Sequence, residues 1–463
     1  MALEQFCETD TARQAGKQVP LESAVGSPDG HALMVIIDPD FGKSLLPFKY
    51  QPIDFCGDAF IVRYQVLVSA FSIRCLFEHR FLLNSDVKRR RLPLKFPLQS
   101  LIAVLLKLHV RALKTWYHLL CHESHQYNLT LLCPLIIQLE QKGAGPGARS
   151  SHAITLVGDT AYAFGGEFTP RVPVDNTMYA FDLKTRTWSA VEATGDVPPP
   201  RVGVTMAAVG NTVLVFGGRD QDHRELNELY SFDTATGAWS LLSSGADGPP
   251  HRSYHSMVAD AAAGRVYVFG GCGDAGRLND LWAYDVAGGG RWEQLPSPGE
   301  ACRPRGGPGL AVAGGKVWVV YGFGGEELDD VHCYDPAART WSVVEAGGGG
   351  DKPSPRSVFC ATGVGRHVVV FGGEVDPSDL GHLGAGKFSA EAFALDTESG
   401  AWKRLDDGAS DESEHHPGPR GWCAFAAGEM DGRRGLLVYG GNSPTNDRLG
   451  DIYFFSPVLD AAN

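Results

Sequence analysis

Residues 211–239 contain Asn211-Thr-Val-Leu-Val-Phe-Gly-Gly218, then Tyr230-Ser-Phe-Asp233, then Trp239. A strand-like apolar run stops at a glycine pair, a second run ends in aromatic-x-aromatic-Asp, and a tryptophan follows. The same order appears upstream in Gly165-Gly166, Tyr179-Ala-Phe-Asp182 and Trp188, and downstream in Gly270-Gly271, Trp282-Ala-Tyr-Asp285 and Trp292. Two looser copies run through Tyr321-Gly322, Tyr334-Asp335 and Trp341, and through Gly372-Gly373, Leu395-Asp396 and Trp402. A sixth begins with Gly440-Gly441 and Tyr453-Phe-Phe455 and has no tryptophan after it. A period of roughly 50 residues with four short strands per unit is a repeat architecture, because no single unit can bury its apolar faces alone.

That period and strand content are the kelch signature, and the predicted fold is all-β, a six-bladed kelch β-propeller over residues 136–463. In each unit strand a follows a turn arginine, namely Arg149, Arg201, Arg252, Arg305, Arg356 or Arg420. Strand b ends in the glycine pair, c ends in aromatic-Asp and d carries the tryptophan. From Trp188, Trp239 and Trp292 the step to the next turn arginine is 13 residues, and counting back the same 13 from Arg149 reaches Ile136. Residues 136–140 are therefore expected to supply the missing d strand of the sixth blade, so that no sheet edge stays open. Without its tryptophan this closure should be weaker than a complete blade. Antiparallel pairing gathers the turn arginines, the residues after each glycine pair and the b-to-c loops at one face, with strand a at the axis. The glycine pairs, turn aspartates and tryptophans read as structure. The six arginines are open between turn hydrogen bonding and ligand contact.

Composition fits a turn-rich β domain, with 57 glycines in 463 residues. Residues 1–140 hold 15 of the 41 basic and 13 of the 54 acidic residues, leaving 26 against 41 in the remainder. So acidic a propeller argues against nucleic-acid binding. The ten cysteines show no CxxC or other metal spacing, which fits a reducing compartment. The acidic start, Met1 to Asp10, lacks the order of a secretory signal. The apolar stretch Leu98 to Leu120 contains Lys107, Arg111 and Lys114, each costing ~2.5–3.5 kcal/mol in a bilayer. It reads as an amphipathic helix, and no membrane partner is expected. Residues 1–135 lack the propeller's period and are expected to be an unrelated, poorly ordered or partly helical N-terminal extension, or one translated from outside the true exons. Within it, residues 92–120 faintly resemble an F-box. Lys88-Arg-Arg-Arg91 reads as a nuclear signal or a solvated basic turn. The expected location is cytoplasmic, with the nucleus open through that motif.

Function should sit where the repeats differ. The post-glycine residues are Glu167, Arg219, Cys272, Glu374 and Asn442. The fifth loop is the longest and holds Glu374, Asp376, Asp379 and His382, a mixed oxygen and nitrogen set suited to iron(II), or else a solvated acidic turn. Arg219 and Arg277 could hold a sulfate, phosphate or carboxylate through paired donors, or form ion pairs with nearby aspartates.

From about Leu139 to the end the chain resembles the plant nitrile-specifier, epithiospecifier and thiocyanate-forming proteins. The resemblance is carried by Gly147-Ala-Arg-Ser-Ser-His-Ala153, Phe216-Gly-Gly-Arg-Asp220, Lys316-Val-Trp-Val-Val-Tyr-Gly-Phe323, Arg356-Ser-Val-Phe359, Gly373-Glu-Val375, Pro419-Arg-Gly-Trp422, and Gly440-Gly441 with Pro444-Thr-Asn446. It implies an iron(II)-assisted lyase of glucosinolate catabolism in plant defence. A myrosinase releases the aglucone, and the resulting thiohydroximate-O-sulfate is steered to a nitrile instead of an isothiocyanate. It also implies sulfate-holding arginines at Arg219 and Arg277, a mouth aromatic at Trp422, and iron ligands at Glu374, Asp379 and His382. The family's ligand spacing is Glu-x3-Asp-x3-His; here Ser378 stands at the middle position and the aspartate comes one later, at Asp379. The rival expectation is a non-catalytic kelch interaction module, including an F-box-kelch ubiquitin-ligase adaptor. A galactose-oxidase-like copper enzyme has no Tyr/Cys/His constellation here to support it.

Overall fold

The computed structural model describes residues 33–37, 48–50, 54–56, 59–68, 73–82, 135–345, 351–405 and 416–459. The chain divides into two compact units, Met1–Thr115 and Trp116–Asn463. The described part of the first is a single antiparallel sheet of five strands, in which Ala59–Val68 and Ile73–Leu82 pair along their whole length. The amphipathic helix, the F-box-like stretch and the basic motif lie outside the described residues. Among the described residues no helix is long and apolar enough to cross a membrane.

The second unit is a propeller of six blades, each of four antiparallel strands, with a short fifth strand paired in parallel to the outer strand in blades 1 and 2. Blade 2 shows the pattern: Thr205–Val209 (a), Thr212–Arg219 (b), Glu225–Asp233 (c) and Ala238–Ser243 (d). Its alternation places Val213, Val215 and Phe232 on one face and Leu214, Phe216 and Leu229 on the other, all fully buried, because each blade is sandwiched between two neighbours. Blade 6 takes a, b and c from Ala424–Met430, Arg433–Asn442 and Arg448–Ser456, and its outer strand is Leu135–Gln138. That strand pairs from Tyr453↔Gln138 to Ser456↔Leu135, so the closure expected near Ile136 is found.

The tryptophans act between blades. Trp239 lies 5.3 Å from Phe164 of the preceding blade, Trp292 5.1 Å from Phe216, Trp341 6.1 Å from Phe269, Trp402 5.8 Å from Tyr321 and Trp188 5.3 Å from Tyr439, between ring centroids. Such pairs contribute ~0.5–1.5 kcal/mol beyond their buried area. The seam between blades 5 and 6 lacks this stack. There Ile136 packs in the cluster holding Phe371, whose ring lies 6.1 Å from that of His416.

The glycine pairs break the ladder, as a bulge at Gly217-Gly218 and Gly440-Gly441 and as the end of strand b in blades 1, 3 and 5. Gly217 and Gly218 have φ of +64° and +98°, and a Cβ on Gly217 would sit 2.8 Å from the Arg252 carbonyl, so only glycine lets the strand bend past the next blade's turn. The break leaves a carbonyl pointing inward, and the turn arginine answers it. Nη1 of Arg149, Arg201, Arg252, Arg305, Arg356 and Arg420 donates to the carbonyl of Gly165, Gly217, Gly270, Tyr321, Gly372 and Gly440 respectively. Each also pairs with an acid, Asp175, Glu228, Asp280, Asp330, Glu391 or Asp451. All six are at most 2% exposed. Of the two readings open in sequence, turn hydrogen bonding is the one the geometry supports.

Candidate functional site

Two residues after each turn arginine stand Ser151, Gly203, Tyr254, Gly307, Val358 and Trp422, all with φ between +48° and +61°. Their backbones form a closed circle about the axis. Ser151 N–H donates to the Trp422 carbonyl, Gly203 to Ser151, Tyr254 to Gly203, Gly307 to Tyr254, Val358 to Gly307 and Trp422 to Val358, at 2.8–3.0 Å. Left-handed backbone is costly for Tyr, Trp and above all β-branched Val. The circle holds it in place, and two glycines make room, since a Cβ on Gly203 would meet the Tyr254 ring at 2.9 Å. Tyr254 and Trp422, three blades apart, meet edge to face across the axis at 5.3 Å. They form an aromatic floor to the mouth.

Around that floor stand the post-glycine residues, each bridged to the residue after a turn arginine: Glu167 to Ser150, Arg219 to Val202, Cys272 to Ser253, Phe323 to Gly306, Glu374 to Ser357 and Asn442 to Gly421. Phe323 was missed in sequence because Tyr321-Gly322 breaks the glycine pair; the alignment of Lys316–Phe323 with the other b strands is the signal that finds it.

One side of the mouth is cationic. Arg219 donates from Nε to Glu225 Oε1 at 3.0 Å and from Nη2 to the same oxygen, and its guanidinium lies over the Tyr254 ring at 5.8 Å. Its Nη1 has no protein acceptor among the described residues. Arg277 is exposed on the small hairpin of Cys272–Gly273 and Gly276–Arg277, with its guanidinium 4.6 Å from the centre of the Phe323 ring. The neighbouring aspartates are used elsewhere, Asp220 by Arg224 and Asp280 by Arg252. Between the two arginines, burial and then Glu225 push the Cys272 thiol up against the pull of Arg277 and Arg219. Sequence reading also missed Arg448. It is nearly buried, bonded to Asn442 and Asn446, and stands 3.8 Å from Glu167. Burial raises the pKa of Glu167, opposed by the Arg171 N–H, Arg448 and the Ser151 and Ser150 hydroxyls. The Arg448–Glu167 pair joins blade 6 to the adjoining blade 1 across the length of the propeller sequence, so no local motif carries it.

The opposite side is acidic. Glu374, on blade 5 and three blades from Arg219, is 8% exposed, and burial pushes its carboxyl up to about 7 although the Ser378 and Gly386 N–H groups donate to it. Glu327, from blade 4, accepts a 3.0 Å bond from Ser357 Oγ, while its Oε2 is buried without a partner. Burial, then the charges of Glu374 and Asp376, push it up to about 8. Asp379 is exposed, and His382 sits in a 3-10 turn, Gly381–Leu383, with its side chain outside the described residues. Among the described residues no three His, Cys, Asp or Glu side chains group as a metal ion requires. Still, a buried carboxylate beside a half-buried one with an unpartnered oxygen is a donor pair that a cation would relieve.

A closed kelch propeller with an aromatic-floored, charge-divided mouth is the class defined here. The profile of the KLHDC2/KLHL20/DRC7 Kelch-repeats domain matches residues 151–373. N-(sulfonatooxy)prop-2-enimidothioate sulfolyase of Thlaspi arvense is 42% identical over 344 residues, covering 69% of this chain and 96% of that protein. Kelch domain-containing protein 3 of Bos taurus is 29% identical over 255 residues, covering 52% of this chain and 64% of its own. Among solved structures, that of YjhT overlays with a TM-score of 0.52 at 17% identity, covering 66% of this chain and 95% of that one, a likeness of fold alone. The chain belongs to the plant kelch family of nitrile-specifier, epithiospecifier and thiocyanate-forming proteins.

Proposed function

We propose that the protein is an iron(II)-dependent lyase that directs myrosinase-released thiohydroximate-O-sulfates to nitriles. The observation that carries the reading is the division of the mouth, with guanidinium groups on blades 2 and 3 on one side and the carboxylates of Glu374 on blade 5 and Glu327 on blade 4 on the other. The Thlaspi arvense relative's name specifies a sulfonatooxy-imidothioate as what that protein acts on, and a substrate of that kind has an anionic sulfate at one end and a soft sulfur at the other. Arg277 and the remaining Nη1 of Arg219 would hold the sulfate by charge-assisted bonds, which strengthen as the N–O bond breaks and charge gathers on the leaving oxygen. Glu225 fixes Arg219, and Phe323 fixes Arg277, so neither has to reorganise during reaction. Trp422 and Tyr254 stop the substrate at the floor and exclude water from below.

Glu374, Asp379 and His382 would hold iron(II), which would polarise the sulfur when bound. Glu327 adds negative charge beside that set. The test is product analysis of a glucosinolate treated with myrosinase, with and without this protein and Fe²⁺, and with the variant E374A/H382A. The reading expects iron-dependent nitrile that the variant loses. Isothiocyanate alone, from folded protein with iron present, would overturn it.

A further inference from the structure

Five described cysteines are free: Cys272, Cys302, Cys333, Cys360 and Cys423. Cys360 and Cys423 alone among them pack in the same apolar cluster. Cys360 opens strand a of blade 5, and Cys423 immediately precedes strand a of blade 6. The 2.9 Å bond from Trp422 N–H to the Val358 carbonyl joins the residue before Cys423 to the residue two before Cys360, which brings the two strands together beside the cysteines. Both side chains belong to one apolar cluster, Cys360 at 1% exposure and Cys423 half-buried at its edge.

A second, independent observation concerns the seam itself. The blade 5–6 seam is the one in which Ile136 replaces the stacking tryptophan, and it is also where the sixth blade takes its outer strand from Leu135–Gln138. The thiol pair therefore lies across the junction with the least aromatic packing. We propose that Cys360 and Cys423 form a reversible disulfide that staples blades 5 and 6 beneath the mouth, driven by a peroxide. The more accessible Cys423 sulfur attacks the peroxide; its S–O bond forms, the O–O bond breaks and one water leaves. The Cys360 sulfur then attacks the Cys423 sulfur, the S–S bond forms, the S–O bond breaks and a second water carries off the Cys360 proton. Two thiols and hydrogen peroxide give one disulfide and two waters. Burial and the neighbouring Cys423 hold Cys360 as the thiol, which makes Cys423 the point of entry.

The staple closes a long segment of chain, which by the loop-entropy argument favours the folded state. It also sits one residue from Trp422, so oxidation should stiffen the floor. The test uses the full chain treated with hydrogen peroxide, followed by non-reducing peptide mapping and thermal unfolding. The expected result is a Cys360–Cys423 linked peptide as the main product and a Tm several degrees higher, both reversed by dithiothreitol. C423S should show neither change. C360A should stall at a Cys423 sulfenic acid that dimedone traps. Folded wild-type protein whose Cys423 ends as sulfinic acid or dimedone adduct, or stays a free thiol, with no link to Cys360, would overturn the proposal.

Discussion

Replacing Arg305 by methionine tests whether the turn arginines are structural or held in reserve for a ligand. Arg305 is fully buried and gives four bonds: Nη1 and Nη2 to Asp330 at 2.6 and 2.8 Å, Nη1 to the Tyr321 carbonyl at 3.1 Å, and Nε to the Arg303 carbonyl at 2.9 Å. Methionine keeps much of the volume but strands the partners. Breaking a buried pair costs ~3–5 kcal/mol, and the orphaned bulge carbonyl adds ~1–3 kcal/mol. Asp330 is 30% exposed and keeps its 2.7 Å bond to His332, so we expect the lower end, ~3–4 kcal/mol. At ~2 °C per kcal/mol for a domain of this size, Tm should fall by ~6–8 °C. The loss should also depend on pH. His332 and Arg305 hold the Asp330 carboxyl well below its usual range even against burial, so this group stabilises above its unfolded pKa near ~3.9 and loses that contribution as pH falls. The difference between R305M and wild type should therefore shrink towards pH ~3. D330N in the R305M background should recover part of the loss, because no bare carboxylate then remains. Urea unfolding with an unchanged m-value is the assay. A loss under ~1 kcal/mol at pH 7 would refute the structural reading.

Further consequences can be measured on the same protein. Burial, then Arg149 and Arg252 respectively, depress His152 and His255, which are neutral in the fold. Unfolded histidine takes up a proton below ~6.5, so stability should fall by ~1.4 kcal/mol per pH unit for each as pH drops, until the folded pKa is reached; H152L should flatten the Tm-against-pH slope between 6.5 and 5. Glu327, pushed up to about 8, has the opposite sign. Its contribution is complete below its unfolded pKa and is lost as pH rises towards 8, so E327Q should raise Tm at pH 8.5 and leave it nearly unchanged at pH 4.5. Val358 has φ +48°, and V358G should relieve ~1 kcal/mol of backbone strain; a fall in Tm would mean that its side-chain packing outweighs the strain.

The propeller was legible because its determinants are local and repeated: glycine pair, aromatic-Asp, tryptophan. Even the distant closing strand could be counted out, since the 13-residue step to Arg149 reaches Ile136. The mouth was only partly legible. Arg219 and Glu374 follow glycine pairs, Trp422 follows a turn arginine and Arg277 ends the hairpin after a glycine pair, so the repeat itself assigns all four to the mouth face. Glu225, Glu327 and Arg448 were missed because each matters through a partner in another strand or blade. The circle of backbone bonds depends on left-handed φ at residues as unlike as Ser151, Val358 and Trp422, a conformation their side chains do not favour and tertiary contacts impose. The turn arginines were ambiguous because one guanidinium suits an internal carbonyl as well as an external anion.

The circle that joins Ser151 to Trp422 through four intermediate residues has no free end. A linear array of six such contacts could form piecemeal and tolerate a missing member at either terminus. A closed loop cannot: until blade 1 meets blade 6, both Ser151 and Trp422 hold their unfavourable backbone geometry with one bond unmade. The floor of the mouth should thus appear in a single late step of folding, after Leu135–Gln138 has docked. Chains shortened so that Leu135–Gln138 cannot dock would keep most of their strands and lose the floor altogether. The amide hydrogens of these six residues should accordingly exchange as one unit, at a rate set by the opening of the junction between blades 6 and 1.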